Sequence, residues 1–428
     1  MTLPKNVVAR FEIVTPMFLG DADQEAAGIR EASIKGALVF WWRALNYASF
    51  VQESGGNLTD ALTAMQTREQ ALFGGGKHGQ SAVLLKVDPR PVLQKCNQGQ
   101  VLNGESGEPV GEGTRYLGYG LMGAFGADAG KLSHSCFRSG NFKVSLIFRK
   151  SIVADGADDV DVVQNVVPAL KALGLIGGLG ARKRRGWGSV ALLSLNGAEE
   201  WVAPTTLEGY IEELNRLIGK AARDQIGARF LLTAFAKETD IRVGTVQNAN
   251  ALTVLNDLGE GFQRYRAWGH NGKVGGQDSE MNFQADHDWF KSGQGRPTKG
   301  RFKDKAGQMH STASLPKRAA FGLPHNYFSK GGASNGSNLK MNVEAATSES
   351  DRRGSPLIFH IHKLSDGRCF AVASYFPTLF LENPTITVNK DTKDYHFEPD
   401  TITNFLNGVR TTGAHANPAY FPNESVLS

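Results

Sequence analysis

The order of periodic segments in the first 195 residues restricts the possible folds more than any other feature of this sequence. Alternating apolar and β-branched residues predict strands, and apolar residues at helical spacing predict helices. The segments are, in order, a strand at 6–16, a helix at 33–51, strands at 81–89 and 141–150, a helix at 160–180 and a strand at 186–195. This βαββαβ order predicts a ferredoxin-like unit, in which two helices cover one antiparallel sheet.

The rest of the chain shows a similar strand-first order without detectable repetition of sequence. A strand is predicted at 227–237, a helix at 248–269, and strands at 318–328, 355–364 and 368–376. A chain of 428 residues also exceeds the size at which one core usually stops growing. We therefore predict an α+β protein with two ferredoxin-like (RRM-like) domains in tandem, at 1–224 and 225–428.

Two long segments interrupt this pattern. The first is polar and glycine-rich and runs from Pro89 to about residue 138; it is too long for an ordinary connection, which predicts that it is functional or mobile. The second, 270–315, is polar and charged and almost without aliphatic periodicity. For this insertion we expect loops, one short helix near "MNFQADHDWF" and partial disorder.

The charged residues are more informative in their clustering than in their total. The 47 basic residues are nearly balanced by 42 acidic ones, which leaves a net charge of +5. Basic runs occur at 182–185, 295–305, 316–318 and 351–354. A polyanion would therefore be bound at particular places and not by the whole surface.

Several classes of protein are disfavoured by composition. Cys96, Cys136 and Cys369 lie far apart and form no CxxC pair, which argues against a disulfide framework and a zinc ribbon. The first residues lack the apolar core of a signal peptide, and no stretch approaches 18 apolar residues. We expect a cytoplasmic protein without membrane contact, bound cofactor or metal.

The segment "GGLGARKRRGWG", residues 177–188, is the most unusual in the chain. Phosphate-binding glycine loops carry GxGxxG after a strand or GxxxxGK[ST] before a helix, whereas this loop follows a predicted helix and precedes a strand. Nucleotide binding by either motif is therefore disfavoured. The loop offers backbone able to approach a ligand closely at its glycines, which are Gly177, Gly178, Gly180, Gly186 and Gly188.

The same loop has two open interpretations. Arg182, Lys183, Arg184 and Arg185 can neutralise phosphates while Trp187 stacks on a base, which are the components of a single-stranded RNA site. Alternatively, the loop is a solvated cationic turn and Trp187 is a core residue at the start of a strand. The basic run by itself does not decide between them.

Histidines provide the candidates for catalysis. His360 and His362 lie on one face of a predicted strand, where they would suit a metal or acid and base chemistry, although a half-buried polar face explains them equally well. His310 and His325 lie beside basic residues, where a metal-independent ribonuclease would use a histidine. Because no further ligand or nucleophile has a recognisable spacing, the chain is predicted to be a binding protein.

The predicted helix at 33–51 combines an apolar face with cations. Trp41 shares its face with apolar neighbours at helical spacing, which predicts a core residue. Lys35 and Arg43 lie on the less apolar side. With Arg30 in the preceding loop, they are predicted to form a basic edge that faces RNA or a partner subunit.

Six stretches, taken together and in this order, resemble one protein family. They are "TPMFLGDAD", "REASIKGALVFWWRAL", "ALFGG", "GGLGARKRRGWGSV", "AAFGLPHNYF" and "DRRGSPLIFHIHK". The glycine loop by itself marks the wider RAMP superfamily. Its combination with the SIKGxxxFWWR helix and the RRxSPL strand resembles the large RAMP subunit that heads the Cmr series in type III-B CRISPR effector complexes.

The resemblance implies two ferredoxin-like domains and no nuclease activity of the chain's own. It implies a place at the end of the effector distal to the crRNA 5′ tag, where the subunit abuts another RAMP protein and the backbone filament and helps to capture target RNA. Replacing the four cations of the loop with alanine would then weaken RNA capture with little loss of fold. The RNA-binding residues expected on this basis are Arg30, Lys35, Arg43, Arg182, Lys183, Arg184, Arg185, Trp187, Arg352 and Arg353.

Two other hypotheses stay open. One is a RAMP-type, metal-independent endoribonuclease that processes crRNA with a histidine such as His310 or His325. The other is a structural cap whose basic loop contacts only protein. Cleaved RNA would favour the first, and salt-sensitive binding of bare RNA would argue against the second.

Overall fold

The computed structural model of this chain describes most of the sequence. The described residues are 5–75, 80–104, 106–148, 162–219, 232–269, 272–292, 300–329, 338–346, 350–408, 420–421 and 424–427. Within these ranges, no helix is both long enough and apolar enough to cross a membrane.

Helices and strands are interspersed along the described residues. The helices are α1 Glu31–Glu53, α2 Leu58–Phe73, α3 Glu112–Leu117, α4 Val162–Ile176, α5 Leu207–Ile218, α6 Ala251–Arg266, α7 Gln284–Ser292 and α8 Asp400–Asn407. The strands are β1 Lys5–Ile13, β2 Val83–Val87, β3 Val92–Cys96, β4 Cys136–Phe148, β5 Val190–Gly197, β6 Trp201–Val202, β7 Asp240–Val243, β8 Lys273–Val274, β9 Gln277–Asp278, β10 Arg301–Lys303, β11 Met309–Ser311, β12 His325–Ser329, β13 Leu339–Ala345, β14 Leu357–Lys363, β15 Cys369–Tyr375, β16 Thr385–Val388 and β17 Asp391–Asp394.

The N-terminal sheet has the strand order β2-β4-β1-β5-β6, and its neighbours are antiparallel. The long strand β4 pairs with β2 at one end and with β3 at the other. The order β2-β4-β1-β5, with α1 and α4 as the connecting helices, is that of a ferredoxin-like unit. Helix α1 buries Ile34, Leu38 and Trp41 at the spacing that predicted it.

The C-terminal sheet is smaller and starts later than predicted. Its order is β14-β15-β7, and α6 follows β7 along the chain. The strand predicted at 227–237 is wrong over 232–237, because the backbone there bonds elsewhere: Phe235 donates to the carbonyl of Ala44 in α1. Residues 220–231, which include the predicted domain boundary, lie outside the described residues.

A third unit, with its own core, was not predicted. Its sheet has the order β12-β13-β16-β17, and its core includes Trp289 and Phe290 of α7. The strand predicted at 318–328 is only partly right, since Lys317–Phe321 forms a 3₁₀ turn before β12. Helix α7 confirms the short helix expected near "MNFQADHDWF", and the rest of the described insertion includes the hairpins β8-β9 and β10-β11.

The two large sheets share apolar cores. One core joins side chains of β1, α1 and α4 to those of β14 and β15. A second core joins Phe18, Trp187 and residues of α6 to Phe359 and other residues of β14. The chain is therefore a mixed α and β protein whose two halves are packed together, and the glycine-rich loop lies at their junction.

Candidate nucleic-acid interface

The glycine-rich loop after α4 is held tightly by backbone contacts. Gly180 and Gly188 have positive φ angles of 85° and 62°, and a Cβ at Gly188 would lie 1.9 Å from the carbonyl oxygen of Leu179. Leu179 donates to the carbonyl of Gly188 at 2.9 Å, which folds the loop back on itself. The other close approaches are those of Gly177 to Trp41, Gly178 to Gly188, and Gly186 to Leu255.

The four cations of this loop differ in their exposure. Arg182 is exposed and has a positive φ of 57°, a conformation that costs a non-glycine residue roughly 1–2 kcal/mol. Lys183 and Arg184 are half-buried and lie over one ring, with Lys183 Nζ 5.6 Å and Arg184 Cζ 5.4 Å from the centroid of Phe40. Of the four cations, Arg182 is therefore the most exposed to solvent.

Arg184 and Arg185 fasten the loop to the C-terminal half. The guanidinium of Arg184 donates to the carbonyl of Ser355 at 2.9 Å, and that of Arg185 donates to the carbonyl of Phe321. Burial lowers the pKa of both arginines. Replacing all four cations with alanine would thus remove contacts within the protein as well as surface charge, which corrects the expectation of an intact fold.

The structure brings together the two basic segments that the sequence separates. Burial lowers the pKa of Arg182, and the nearby charge of Arg352 lowers it further. Burial also lowers the pKa of Arg184, and the nearby charge of Arg353 lowers it further. A Cβ at Gly354 would lie 3.3 Å from Nε of Arg184. We call Arg182, Arg184, Arg352 and Arg353 the convergent basic surface.

Within this surface, Arg182 and Arg352 are the exposed members. The side chain of Arg352 is 77% exposed and lies 3.8 Å from Asp351, a separation at which an exposed pair contributes little. Arg353 is more restrained, because it donates to the carbonyl of Leu379 at 3.2 Å. Arg182 and Arg352 are therefore the charges most accessible to an anion.

Trp187 is a core residue. Its side chain has no exposed area, and its ring packs edge-on against Phe18 with centroids 5.4 Å apart. A base cannot stack on this ring without opening the core. Of the two interpretations of Trp187 that the sequence left open, the structure supports the second.

The three cations predicted on and before α1 differ in their surroundings. Arg43 forms a two-pronged ion pair with Glu69 of α2, with 2.7 Å between Nη2 and Oε1. Arg30 donates to the carbonyl of Gly20 at 2.6 Å, and Lys35 is exposed. Helix α1 instead reaches the loop through Phe40, beneath Lys183 and Arg184.

A second group of cations lies deeper and was not predicted from the sequence. The buried arginine cluster consists of Arg185, Arg266 and Arg318, which surround His325. Arg266 contacts Nδ1 of His325 at 3.2 Å, and its Cζ lies 5.0 Å from the ring centroid of Phe262. Burial and the three arginines lower the pKa of His325, so the ring is neutral and accepts this bond.

Asp286 provides the carboxylate beside this cluster. Its oxygens accept from Nε of Arg318 at 3.3 Å and from the backbone N–H groups of Lys317 and Arg318 at 2.7 and 3.0 Å. Arg185 and Arg266 both lie over the ring of Phe262. Asp286 neutralises one positive charge of the cluster, and the aromatic face of Phe262 stabilises the other two.

The other candidate histidines have structural partners. His360 contacts the carbonyl of Gly177 through Nδ1 at 2.7 Å and His362 through Nε2 at 3.4 Å, and both rings are buried. His310 pairs with Asp304 at 2.8 Å beside a polar cavity of about 330 Å³. In the parts of the chain that the structure describes, no group of three or more His, Cys, Asp or Glu is placed to hold a metal.

The buried histidines predict a loss of stability in acid. Burial lowers the pKa of His360 to about 4, and burial followed by the charge of His360 lowers that of His362. Below pH 6.5 the unfolded chain takes up protons that the folded chain refuses, so stability is present above this pH and is lost as the pH falls. We expect the free energy of unfolding to fall by about 1 kcal/mol per histidine for each pH unit between 6 and 4.

Thermal melting at several pH values tests this expectation. The variant His362→Phe keeps a ring beside Tyr210 and Phe370 but removes one titrating group. Its melting temperature should depend less on pH than that of the unchanged chain. An equal pH dependence in the two proteins would contradict a role for His362.

The N-terminal part of this chain is similar to one known superfamily of proteins. Residues 10–191 match the model of the RAMP superfamily. This range runs from β1 to the start of β5 and contains the whole glycine-rich loop. That part of the chain is therefore similar to the RAMP superfamily. No curated protein matches the chain by sequence.

Solved structures extend the similarity over most of the chain. The apo crystal structure of Cmr1 from Pyrococcus furiosus matches 88% of this chain and 90% of its own, with a TM-score of 0.51 and 16% identity. A chain of the type III-B Cmr-beta complex bound to cognate target RNA matches 93% of this chain and 97% of its own, with a TM-score of 0.50 and 12% identity. At these identities the likeness is one of fold. With the superfamily match, this likeness of fold agrees with the resemblance to the large RAMP subunit that the sequence predicted.

Proposed function

We propose that this chain is a non-catalytic RNA-binding subunit of a type III-B effector complex and helps to capture target RNA. We also propose its position, at the end of the effector distal to the crRNA 5′ tag, with the backbone filament and the adjacent RAMP subunit as neighbours. The fold shared with Cmr1 and with a chain of an RNA-bound Cmr-beta complex supports this role. The two-domain division at 224 and the cytoplasmic location stay predictions.

The observation that carries the proposal is the meeting of Arg182 with Arg352. These exposed residues come from different halves of the chain, and the pKa of Arg182 is lowered first by burial and then by the charge of Arg352. Arg182 is also held at a positive φ. A phosphate between the two guanidinium groups would relieve their repulsion with charge-assisted hydrogen bonds.

Removal of both charges should weaken RNA binding. We expect Arg182→Ala with Arg352→Ala to lower the affinity for labelled single-stranded RNA on the order of tenfold at moderate salt. The slope of log affinity against log salt should fall by about 0.7 for each lost phosphate contact. Binding across a salt series measures both quantities, on the purified chain and on the chain assembled with partner subunits.

A matched control distinguishes the loss of this particular site from a general loss of positive charge. Arg90→Ala with Arg368→Ala removes two exposed cations from the β2-β3 and β14-β15 turns, away from the convergent basic surface. This variant should bind RNA nearly as well as the unchanged chain. Equal affinity of the Arg182/Arg352 variant and this control would refute the RNA role of the surface.

The endoribonuclease hypothesis has one supporting observation, the pairing of His310 with Asp304 at a polar cavity. A carboxylate that orients an imidazole suits general acid and base chemistry. The RNA recovered from the binding experiment therefore needs to be checked for integrity without added metal. Intact RNA is the expected result, and fragments abolished by His310→Ala would replace our proposal with the processing nuclease.

A further inference from the structure

The long segment between β3 and β4 places an aromatic side chain beside the convergent basic surface. This segment contains α3 and is fixed by backbone bonds, including Val110 to Leu102 at 3.0 Å and Gly130 to Gly123 at 2.9 Å. Directly after α3, the side chain of Tyr119 is 64% exposed. An exposed aromatic ring can stack on a base.

The position of Tyr119 next to Arg182 follows from its neighbours on the chain. A Cβ at Gly120 would lie 3.8 Å from Nη2 of Arg182. On the other side, a Cβ at Gly118 would lie 2.9 Å from the ring of Trp187. The buried tryptophan thus supports the backbone that carries the exposed tyrosine.

The backbone around Tyr119 is held in place. The N–H of Tyr119 bonds to the carbonyl of Tyr116 at 3.4 Å, and that of Leu121 bonds to Gly118 at 2.8 Å. Tyr116 in turn accepts a hydrogen bond from Arg266 at 3.1 Å. An exposed ring on a fixed backbone loses little conformational entropy when a planar ligand stacks on it.

We propose that Tyr119 stacks on an unpaired base of bound RNA while Arg182 and Arg352 contact the phosphates that flank this base. The inference rests on the proposed function. It assigns the stacking role to Tyr119, because Trp187 is buried and cannot stack on a base. Alternating cations and aromatic faces is the arrangement that binds single strands without sequence preference. Double-stranded RNA is excluded from this contact, because its bases are stacked on one another.

A cycle of changes in the protein and in the RNA tests the stacking contact. The full chain, alone and assembled with its partner subunits, is titrated with a single-stranded RNA and with the same strand lacking its bases. Tyr119→Ala should weaken binding of the normal strand about tenfold and leave binding of the abasic strand unchanged. The salt slope should stay the same, because no phosphate contact is lost.

Two further variants of Tyr119 distinguish the ring from the bulk of the side chain. Tyr119→Phe should bind like the unchanged chain, and Tyr119→Leu should bind like Tyr119→Ala, because leucine has no aromatic face. All three should melt within about a degree of the unchanged chain, since the side chain is mostly exposed.

The possible outcomes separate this inference from the proposed function. If Tyr119→Ala binds the normal strand as well as the unchanged chain while the Arg182/Arg352 variant binds weakly, stacking is refuted and the RNA role stands. If Tyr119→Ala impairs only assembly with partner proteins, Tyr119 contacts protein and the inference fails. If the unchanged chain binds no RNA even when assembled, both proposals fail.

Discussion

Replacing Asp286 with alanine is expected to lower the free energy of unfolding by about 3–5 kcal/mol, the usual cost of leaving a buried cation without its partner. The side chain of Asp286 has no exposed area. It accepts bonds from Arg318, from two backbone N–H groups and from the hydroxyl of Tyr327 at 3.3 Å. The variant would leave Arg318 beside Arg266 and Arg185 without that carboxylate.

The loss should be measurable by urea unfolding. Trp289 lies in the same helix as Asp286 and is buried, and comparison with a Trp289→Phe variant isolates its share of the fluorescence of the six tryptophans. Circular dichroism followed in parallel reports on the whole chain. We expect the fluorescence transition to move to lower urea in Asp286→Ala, by more than the circular dichroism transition if the third unit unfolds separately.

A double variant provides the control. Arg318→Met in the Asp286→Ala background removes the unpaired cation and keeps an apolar chain over Tyr327, where the guanidinium now lies 4.3 Å from the ring. Part of the lost stability should return. A destabilisation below 1 kcal/mol in the single variant, or a further loss in the double variant, would contradict this prediction. It would show that the pair of Asp286 and Arg318 does not stabilise the fold.

The periodic elements were predictable because their burial follows one simple period. In β15 all residues are buried, and in α1 the buried residues recur at helical spacing. In the third unit β13 alternates as well, with Lys340 and Asn342 exposed between buried neighbours, but the other three strands of its sheet have only four or five residues, too few for a clear period. Its contact between Asp286 and Arg318 joins residues 32 positions apart in sequence, which no local pattern reveals.

The charged residues of the candidate site could be predicted from the sequence, but their exposure and their positions relative to one another could not. The run Arg182–Arg185 is evident in the sequence, yet exposure decreases along it because Arg184 bonds to Ser355, 171 positions away. The burial of Trp187 depends in the same way on Phe18 and Gly118. Local composition cannot report contacts that only the folded chain creates.

The glycines of the loop lead to the second large effect, in the variant Gly188→Ala. Its φ of 62° costs alanine roughly 1–2 kcal/mol. Its Cβ would also lie 1.9 Å from the backbone oxygen of Leu179, so the bond from Leu179 to Gly188 must be displaced. We expect a total loss of about 3–5 kcal/mol in the free energy of unfolding.

Gly276→Ala isolates the contribution of the backbone angle. Gly276 has a φ of 79° in the turn between β8 and β9, and an added Cβ there would meet no atom of the described residues within 4 Å. This control should therefore lose only about 1–2 kcal/mol. Urea unfolding of the two variants measures the difference, which is the steric cost of the Leu179 contact.

The same pair of variants connects the loop to RNA binding. Displacement of Leu179 moves the backbone that holds Arg182 beside Arg352, so Gly188→Ala should weaken RNA binding at temperatures where the chain is still folded. Gly276→Ala should leave RNA binding unchanged. If Gly188→Ala bound RNA with full affinity, the packing of the glycines would stabilise the fold without positioning the convergent basic surface, and the RNA contacts would not depend on the loop backbone.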